Sequence, residues 1–426
     1  MGVDLLIRDA RWLQPDGSFA MGHLLARGGR IRHLRLDDSL PQGVPAIEAR
    51  GLLVLPGAID AHTHFRQPGQ AYKEGIRNGT RAALKGGVTT VLDMPNTVPP
   101  CTSTARLRRK RDLFATHSLV NWGLHVLALP GKAPPELPYA FGKIYMAQSS
   151  RAPAVAPRAL GRVLAGWPRV MVHAEDETAF PPLAPTAPHH QRRPRAAITR
   201  ALEAMSAALD AGGTNAQSRI VVCHVSTADE VAWIRDRKAR GFDVWGETCP
   251  HYCLLTHNDY LRHGSRLQVN PPLRDERDRR AILEGVASGD IDFISSDHAP
   301  HTPREKASSH PPSGIPGIEW LVPAMLHLVS QGVISWKRLH EVMCASQSAC
   351  FCVRHRDGLL PGNVADMVVV SPSAGSPVVP IVTRAHYDPF DGVPLGWTVH
   401  ATIVNGSIMY RDGVVAGSAR GREVVS

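Results

Sequence analysis

The sequence predicts an α/β protein in which a (β/α)8 barrel carries a small β domain built from both chain termini. In the middle of the chain, eight apolar strand-like runs alternate with helical patterns, which is typical of βα units. Eight such units over about 300 residues favour a barrel. An open doubly wound sheet is the alternative, but no Gly-x-Gly-x-x-Gly follows the first strand.

The terminal strands define the expected β domain, which comprises residues 1–53 and 355–426. The runs that predict strands are 4–7, 24–26, 31–34, 365–370, 398–404 and 407–410. Turn dipeptides such as Asp16-Gly17 and Gly28-Gly29 separate them. Because these strands flank the long middle segment, we expect one sheet assembled from both ends of the chain.

The barrel is expected over residues 54–354. Its predicted strands are 53–61, 88–93, 121–127, 141–146, 170–173, 220–223, 243–247 and 291–296. The helix signals are clearest after the sixth strand, where Thr227 and Glu230 form a capping box and Gly241 follows the last turn. We therefore expect a helix over 227–240, whereas the Pro-rich stretch 181–194 should be a loop.

Composition predicts a soluble cytoplasmic protein without a membrane partner. The 426 residues are 43% hydrophobic and 20% charged, which is ordinary for globular proteins, and no apolar run is long enough to cross a bilayer. The N-terminus lacks the basic and apolar regions of a signal peptide. The seven cysteines, among them Cys344, Cys350 and Cys352, lack paired metal-ligand spacing and should be reduced thiols.

The basic residues predict a solvated surface and no nucleic-acid partner. The net charge is +10, and the densest basic runs lie at 106–111 and 192–195. Neither run is interleaved with the aromatic residues on which bases stack. We expect exposed helix or loop at both runs, with attraction of an anionic substrate as an additional effect.

The stretch from Pro56 to Arg66 places two imidazoles and a guanidinium close together. An apolar run leads into it and predicts a buried strand. Because alternate side chains of a strand point the same way, His62, His64 and Arg66 are expected to project together. Two neutral imidazoles make half of a metal site, and an adjacent arginine suits a carboxylate. This combination indicates hydrolysis of an acidic substrate.

Further candidate ligands lie at the other predicted strands. Lys143 lies in the fourth strand, His173 ends the fifth, and His224 and Asp297 lie at the ends of the sixth and eighth. The carboxyl ends of barrel strands meet at one face, so these residues should join the first-strand histidines at a metal site. Burial favours a neutral lysine amine, which can add carbon dioxide to form a carbamate that bridges two cations. An ion pair between Lys143 and a carboxylate is the alternative.

Strings typical of one enzyme family run through the barrel. They are PGAIDAHTHFRQPG (56–69), GTRAALKGGVTTVLDMPNT (79–97), KIYM (143–146), HAEDE (173–177), CHVST (223–227), VNPPLR (269–274), SSDHAPHT (295–302) and PSGIPGIE (312–319). In this respect the chain resembles the dihydroorotases, in the cyclic amidohydrolase group of the amidohydrolase superfamily. The resemblance implies two Zn²⁺ ions per chain, bridged by carboxylated Lys143 and a hydroxide. The implied ligands are His62, His64, Lys143 as its carbamate, His173, His224 and Asp297.

The choice within this group depends on the residues implied at the substrate. Dihydroorotases typically carry an Arg two residues after the second His of the first motif and an Asn in the Met-Pro-Asn string, here Arg66 and Asn96. Hydantoinase- and allantoinase-like enzymes share the metal ligands, but their substrates lack a ring carboxylate. The resemblance implies Arg66, Asn96 and His301 at the carboxylate, with Asn270 and the backbone near Pro316 and Gly317 at the ring amides.

The activity implied by the resemblance is reversible hydrolysis of L-dihydroorotate to N-carbamoyl-L-aspartate in pyrimidine biosynthesis. Asp297 is expected to take a proton from the attacking hydroxide and to deliver it to the leaving ring nitrogen. A hydantoinase- or allantoinase-type amidase is the second hypothesis, and a non-catalytic scaffold paralogue is the third. Gln67, in place of a common Glu, and the segment 147–150, in place of a Gly-rich one, depart from the family pattern. A homo-oligomer, dimer or tetramer, is expected.

Overall fold

The structure, a computed structural model, describes residues 4–149, 152–184, 187–211, 218–373, 380–417 and 421–424. Its strands are β1 (Leu5–Leu13), β2 (Phe19–Arg27), β3 (Arg30–Leu34), β4 (Ala46–Glu48), β5 (Leu53–Pro56), β6 (Ala58–Thr63), β7 (Val88–Asp93), β8 (Asn121–Leu124), β9 (Val126–Leu127), β10 (Gly142–Tyr145), β11 (Arg169–His173), β12 (Arg219–Val222), β13 (Val244–Thr248), β14 (Phe293–Ile294), β15 (Met367–Pro372), β16 (Trp397–Val404), β17 (Ser407–Arg411) and β18 (Val414–Val415).

Helices connect most of the middle strands. They are α1 (Ile76–Lys85), α2 (Thr104–His117), α3 (Leu160–Gly166), α4 (His189–Arg192), α5 (Arg195–Asp210), α6 (Ala228–Ala239), α7 (Pro250–Leu254), α8 (Tyr260–His263), α9 (Glu276–Ser288), α10 (Pro303–Lys306), α11 (Leu321–Ser330), α12 (Trp336–His340) and α13 (Ser346–Phe351). Short 3₁₀ turns lie at Pro157–Ala159, Glu177–Ala179, His257–Asp259, Gly264–Leu267 and Ile318–Trp320, and a π turn lies at Glu341–Ala345. None of the helices in the described ranges is both long and apolar enough to cross a membrane.

One mixed sheet is assembled from both ends of the chain, as predicted. Its strand order is β18-β17-β16-β15-β5-β1-β2-β3, and β4 pairs with β1. The amino-terminal and carboxy-terminal strands meet where β5 runs antiparallel to β15. The apolar core on this sheet includes Ile7, Trp12, Leu24, Val54, Met367 and Ile403. Burial of these side chains holds the two ends of the chain together.

The middle strands form the predicted (β/α)8 barrel. Two parallel ladders, β6-β7-β8 and β9 to β14, together form the eight strands of the barrel. β8 and β9 count as one of these strands because only His125 separates them. The ladder closes on itself where Thr63 forms a bridge with His298. There the His64 amide donates to the His298 carbonyl at 2.8 Å. The carboxyl ends of all eight barrel strands therefore meet around one opening.

Apolar side chains fill the interior of the barrel below that opening. Phe141, Met171, Val221 and Phe293 belong to one buried cluster with Phe351 of α13. The Phe351 ring lies edge-on to Phe141 and Phe293, with ring centroids 4.8 and 5.5 Å apart. The interior is thus a packed core rather than a pore. The candidate ligands lie above this core, toward the carboxyl ends of the strands.

The predicted first barrel strand, 53–61, is two strands in the structure. Its first half is β5, which belongs to the terminal sheet, and its second half is β6, which begins the barrel. Gly57 separates them, and a Cβ at this position would lie 2.3 Å from the Thr89 side chain. The chain passes from one sheet to the other at a point where only glycine fits.

Two other predicted strands are also shorter than expected. The run 121–127 is interrupted at His125, and the run 291–296 keeps only the two residues of β14. Ser296 leaves the ladder because its amide donates to the Asp60 carboxylate at 3.0 Å. The Asp60 side chain thus takes the place of a backbone partner from the neighbouring strand. The alternation of apolar residues in a sequence gives no sign of such a contact.

The helix expected over 227–240 is confirmed as α6. The Glu230 amide donates to Thr227 Oγ1 at 3.3 Å, and the Thr227 amide donates to the Glu230 carboxylate at 3.0 Å. Both bonds of the capping box are therefore present. Gly241 follows with φ of 83°, a left-handed conformation that suits glycine at the end of a helix.

The prediction of a solvated surface at both basic runs is wrong in part. In the run 106–111, Lys110 is buried, and its Nζ lies 2.6 Å from the Asp93 carboxylate. In the run 192–195, Arg193 pairs with buried Glu175. This run also ends the stretch 181–194, which contains α4 as well as the expected loop; residues 185–186 lie outside the described ranges. Lys110 and Arg193 thus pair with buried carboxylates from other parts of the chain.

Candidate active site

A cavity of about 250 Å³ opens at the carboxyl ends of the barrel strands. The predicted site residues that line it are His62, His64, Arg66, Asn96, His173, His224, Asn270, Asp297 and His301. Lys143 is completely buried, and Tyr145, two residues further along β10, lines the cavity. The residues that the sequence places far apart in the chain therefore meet at one opening.

The structure does not bring Pro316 and Gly317 to the cavity wall, where we expected them. That part of the wall consists of Pro312, Ser313 and Gly314 instead. Gly314 has φ of 135°, and a Cβ there would lie 2.2 Å from the Ala299 carbonyl. The loop approaches the Ala299 carbonyl closely at this glycine, and Pro316 and Gly317 lie beyond the residues that line the cavity.

The expectation that His62, His64 and Arg66 alternate along one strand is wrong, although all three reach the cavity. The strand β6 ends at Thr63, so the other two residues lie in the irregular segment that follows it. The pairing of β6 with β7 shifts register between Asp60 and Thr63. There the His62 amide donates to the Asp60 carboxylate at 3.2 Å rather than continuing the ladder.

Three residues of the cavity hold a backbone conformation that is uncommon outside glycine. Arg66, His224 and Asp297 have φ of 61°, 40° and 45°. A non-glycine residue in a sparsely populated region costs about 1–3 kcal/mol and persists only when its surroundings fix it. Such residues cluster at functional sites, and here they coincide with positions that the sequence had already singled out.

One group of potential metal ligands consists of His62, His64 and Asp297. Asp297 Oδ1 lies 3.4 Å from His62 Nε2 and 3.1 Å from His64 Nε2. The Nδ1 atoms of the two rings are directed away, toward Glu247 at 3.0 Å and toward the Asn96 carbonyl at 2.7 Å. Since these two oxygen atoms accept hydrogen bonds from the Nδ1–H groups, both Nε2 atoms are left to converge with a carboxylate oxygen on one point. This donor set suits a divalent cation.

The pKa shifts of these three residues also indicate that a positive charge is favoured at this point. Although burial opposes protonation, the carboxylates of Glu247 and Asp297 raise the pKa of His62 to about 10. Burial lowers the pKa of His64 to about 4. Despite its burial, Asp297 has a pKa well below its usual range because His62 and His64 stabilise its charge. A proton on His62 thus occupies the position of a cation, and metal binding would release it.

The second group of candidate ligands comprises His173, His224 and Lys143. His173 Nδ1 lies 3.0 Å from His224 Nε2, and its Nε2 lies 3.1 Å from the Glu175 carboxylate. Burial lowers the pKa of both imidazoles. A proton on His173 Nε2 satisfies Glu175 and leaves the Nδ1 lone pair directed at His224. Two neutral imidazoles that face each other in this way also suit a cation.

Lys143 lies beside a thiol rather than beside the carboxylate that the ion-pair hypothesis requires. Its Nζ donates to Cys223 Sγ at 2.8 Å. Cys223 lies close to the first ligand group, because its Sγ and ligand atoms of His62 and Glu247 lie within 4.8 Å of one another. The lysine nitrogen is therefore directed at the region where the histidines converge.

The residues expected at the substrate line the same cavity as the candidate ligands. Arg66 Nη2 lies 3.1 Å from His301 Nε2, and both side chains are buried. Asn96, between His64 and Ser149, donates to Ser149 Oγ at 3.3 Å. The Asn270 carbonyl lies 2.9 Å from His189 Nε2. Of these residues, Arg66 and His301 offer the nitrogen atoms best suited to an anion.

Several residues of the site were not predicted. Glu247 and Glu175 contact the candidate ligands His62 and His173, and the Tyr145 hydroxyl is buried with no hydrogen-bond partner among the described residues. Their positions at the carboxyl ends of predicted strands could have identified them from the sequence. Glu247 lies near the end of β13, Glu175 follows β11, and Tyr145 lies on the same face of β10 as Lys143. In a barrel such positions face the site.

Comparison with known proteins finds relatives along nearly the whole chain. Residues 53–167 match the profile of the amidohydrolase family. A dihydroorotase of Halobacterium salinarum is 33% identical over 93% of this chain and 97% of that protein. A dihydroorotase of Bacillus caldolyticus is 32% identical over 97% of this chain and 100% of that protein. L-hydantoinase from Arthrobacter aurescens has a TM-score of 0.87 and 25% identity over 98% of both chains.

Proposed function

The chain belongs to the dihydroorotase family of amidohydrolases, and we propose that it catalyses the reversible hydrolysis of L-dihydroorotate to N-carbamoyl-L-aspartate. One observation carries this proposal. Arg66 and His301, which suit a carboxylate, face the same cavity as four histidines and an aspartate that suit divalent cations. The substrate combines a carboxylate with a cyclic amide, so it requires both halves of the cavity.

The ligand groups support binding of two divalent cations, which we propose to be zinc. The first would be held by His62, His64 and Asp297, and the second by His173 and His224, with carboxylated Lys143 between them. When bound, the cations would polarise the scissile carbonyl and lower the pKa of a water molecule. What supports this proposal is the convergence of imidazole nitrogens with a carboxylate oxygen in the first group and with each other in the second.

Carboxylation of Lys143 would supply the anionic bridge. The neutral amine nitrogen would attack the carbon of carbon dioxide, so that an N–C bond forms while one C–O π bond breaks and its electron pair moves to oxygen. One proton leaves the nitrogen for solvent, and the product is an anionic carbamate. Nζ lies 2.8 Å from the Cys223 thiol, and among the described residues no carboxylate forms an ion pair with it. Its position next to the histidines favours the carbamate over the ion pair.

Asp297 is proposed to carry the proton during ring opening. The two histidines hold its pKa well below the usual range, so it is ionised at neutral pH and ready to accept a proton. It would then deliver this proton to the ring nitrogen as the amide bond breaks. Arg66 and His301 would meanwhile fix the carboxylate, which positions the scissile carbonyl near Asp297.

A hydantoinase-type amidase remains the second candidate function. The similarity in structure to L-hydantoinase favours it. Arg66 opposes it, because its planar guanidinium suits a carboxylate, which the substrates of hydantoinases lack. The scaffold hypothesis is weaker, since all six proposed ligands are present. We also propose that the enzyme serves pyrimidine biosynthesis in the cytoplasm as a homo-oligomer.

The test is conversion in both directions. Purified protein is loaded with zinc, its metal content is determined by mass spectrometry, and L-dihydroorotate and N-carbamoyl-L-aspartate are each supplied separately. We expect each compound to be converted to the other, with two zinc ions per chain. Fully loaded, folded protein that converts neither compound would contradict the proposal.

A further inference from the structure

Lys73 is a buried cation next to the candidate substrate site that the function proposed above does not use. It lies between β6 and α1, and only 6% of the residue is exposed. Its Nζ lies 3.1 Å from Nδ1 of His301 and 2.9 Å from Oε1 of Glu305. A buried ammonium is costly unless it is paired and hydrogen-bonded, and both partners are present here.

The contact with Lys73 determines which nitrogen of His301 carries the proton. An ammonium has only donors, so Nδ1 must accept and a neutral ring must carry its single proton at Nε2. The Ser313 carbonyl, 3.0 Å from Nε2, is an acceptor and agrees with this assignment. Burial and the positive charges of Arg66 and Lys73 hold the pKa of His301 well below its usual value, so the ring is neutral.

This tautomer creates a pair of donors that face each other. Arg66 Nη2 lies 3.1 Å from His301 Nε2, and an arginine cannot accept a hydrogen bond. With a proton on Nε2, which the Ser313 carbonyl accepts in this structure, both nitrogens are donors, and an incoming anionic oxygen would compete with that carbonyl for the Nε2 proton. An anionic oxygen beside them would accept a hydrogen bond from each, and bonds to a charged acceptor are the stronger kind.

We propose that Lys73 is a positioning residue that holds His301 as the Nε2–H tautomer, so that His301 and Arg66 together donate to the substrate carboxylate. This inference rests on the function proposed above. Lys73 would not touch the substrate. It would act through the imidazole, and it would also add positive potential to the half of the cavity that receives the anion.

Glu305 keeps Lys73 in place without reaching the cavity. Its Oε2 accepts the Thr302 amide at 3.0 Å, as part of a capping box at the start of α10. Its Oε1 pairs with Lys73. The same carboxylate thus ties the segment before α1 to the segment that carries His301, and it fixes the direction from which the ammonium approaches the ring.

The test compares Lys73→Met with Lys73→Gln, which keeps a donor but loses the charge. Lys238→Met is the matched control, because Lys238 also pairs with a carboxylate, that of Asp292 at 2.7 Å, but lies on α6 away from the cavity. The ¹⁵N shifts of the His301 ring, identified by their loss in His301→Gln, report the tautomer in ligand-free protein. The KM and kcat for dihydroorotate report binding and chemistry.

We expect the wild type, Lys73→Gln and Lys238→Met to show the Nε2–H tautomer, and Lys73→Met to show mixed tautomers. The KM of Lys73→Met should rise about tenfold, the effect of losing one hydrogen bond to a charged group, while kcat changes by less than about twofold because Lys73 does not touch the reacting amide. Unchanged His301 shifts in folded Lys73→Met would overturn the proposal, as would an Nδ1–H tautomer in the wild type.

The two readouts separate this inference from the proposed function. If the wild type shows the expected tautomer but converts no dihydroorotate, the proposed substrate is wrong and the role of Lys73 in fixing the ring still holds. If dihydroorotate is converted and KM is the same in Lys73→Met, the role of Lys73 is wrong and the function stands. Should Lys73→Met fail to fold, an Nδ1–H or mixed ring in folded Lys73→Gln would equally contradict the tautomer assignment.

Discussion

Both carboxylate oxygens of Glu247 lie 3.0 Å from Nδ1 of His62. The two residues come from the first and seventh strands of the barrel, β6 and β13, and both are completely or almost completely buried. A carboxylate in this position orients the ring so that Nε2 is directed at Asp297. Groups that hold a ligating histidine in this way strengthen metal binding and are as much a part of a metal site as the ligands themselves.

Glu247→Gln should weaken zinc binding by about 10- to 100-fold, the usual effect of losing such a partner. The carboxamide has nearly the same shape but less negative charge, so the fold should persist. The measurement is activity against free zinc set with a chelator buffer. Excess zinc should restore most of the activity, and Glu203→Gln, on the exposed surface of α5, is the control. An unchanged zinc dependence would mean that Glu247 only fills space.

Lys143→Ala should be inactive because the bridging anion would be lost. Short carboxylic acids such as acetate or propionate should restore part of the activity by occupying the vacated space. In the wild type, ¹³C-labelled carbon dioxide should give a carbamate signal that Lys143→Ala lacks. A single unmodified amine at Lys143 in active, zinc-loaded protein would refute carboxylation.

Arg66→Lys should impair substrate binding and leave metal content unchanged. A lysine keeps the charge but loses the planar fork that matches a carboxylate. A hydrogen bond to a charged group contributes roughly 1.5–3 kcal/mol, so kcat/KM for dihydroorotate should fall about 10- to 150-fold. Steady-state kinetics and zinc analysis on the same preparation check both parts. Normal kinetics in this variant would place the carboxylate elsewhere.

His189 should make the protein sensitive to acid. Burial, reinforced by the charge of Arg193, lowers the pKa of His189 to about 3, so the folded protein keeps it neutral while the unfolded chain binds a proton below about pH 6.5. Stability contributed by this residue is therefore complete above pH 6.5 and is lost as pH falls. Relative to His189→Gln, the wild type should lose about 2 kcal/mol of unfolding free energy between pH 7 and 5.

The measurement for His189 is denaturant unfolding of both proteins at several pH values. Other ionisable groups are common to the two proteins and cancel in the difference. A difference in unfolding free energy that stays constant between pH 7 and 5 would show that His189 takes up its proton in the folded state as readily as in the unfolded chain.

Strand-end reasoning predicted from sequence that the candidate ligands lie at one face of the barrel, where most of them line one cavity, and this prediction has a physical basis. Parallel strands of a closed barrel share one carboxyl edge, so His173, His224 and Asp297 meet whatever the details of their loops. Their residue types then indicate a metal. This inference needs only the order of the strands, and errors of a few residues in their bounds did not affect it.

Contacts that depend on the path of the chain could not be predicted in this way. The His62 amide donates to the Asp60 carboxylate instead of to a neighbouring strand. The side chains of His62, His64 and Arg66 therefore do not alternate along one strand, although all three line the cavity. Gln67, one of the departures from the family pattern, accepts the Ile76 amide at 3.1 Å at the start of α1. Ser149, in another departure, accepts from Asn96; Ser150 of that segment lies outside the described residues. Each partner is fixed by tertiary structure.

The domain bounds at 53/54 and 354/355 stay a prediction, although the first falls beside a clear structural change. Residues 53–56 form β5 within the terminal sheet, so the strand that we assigned to the barrel begins in the neighbouring layer. Gly57 marks the passage. Apolar character alone could not separate the two strands, because both are buried and continuous in sequence.

The most direct test of the account is the ratio of kcat/KM for L-dihydroorotate to that for dihydrouracil, measured on the same zinc-loaded protein. Dihydrouracil has the same ring amide but no carboxylate, so it engages the metal ligands and not Arg66 and His301. The account predicts a ratio of at least about 10, from the energy of one charged hydrogen bond. A ratio below one, with dihydrouracil or hydantoin as the better substrate, would contradict it and favour the hydantoinase-type function.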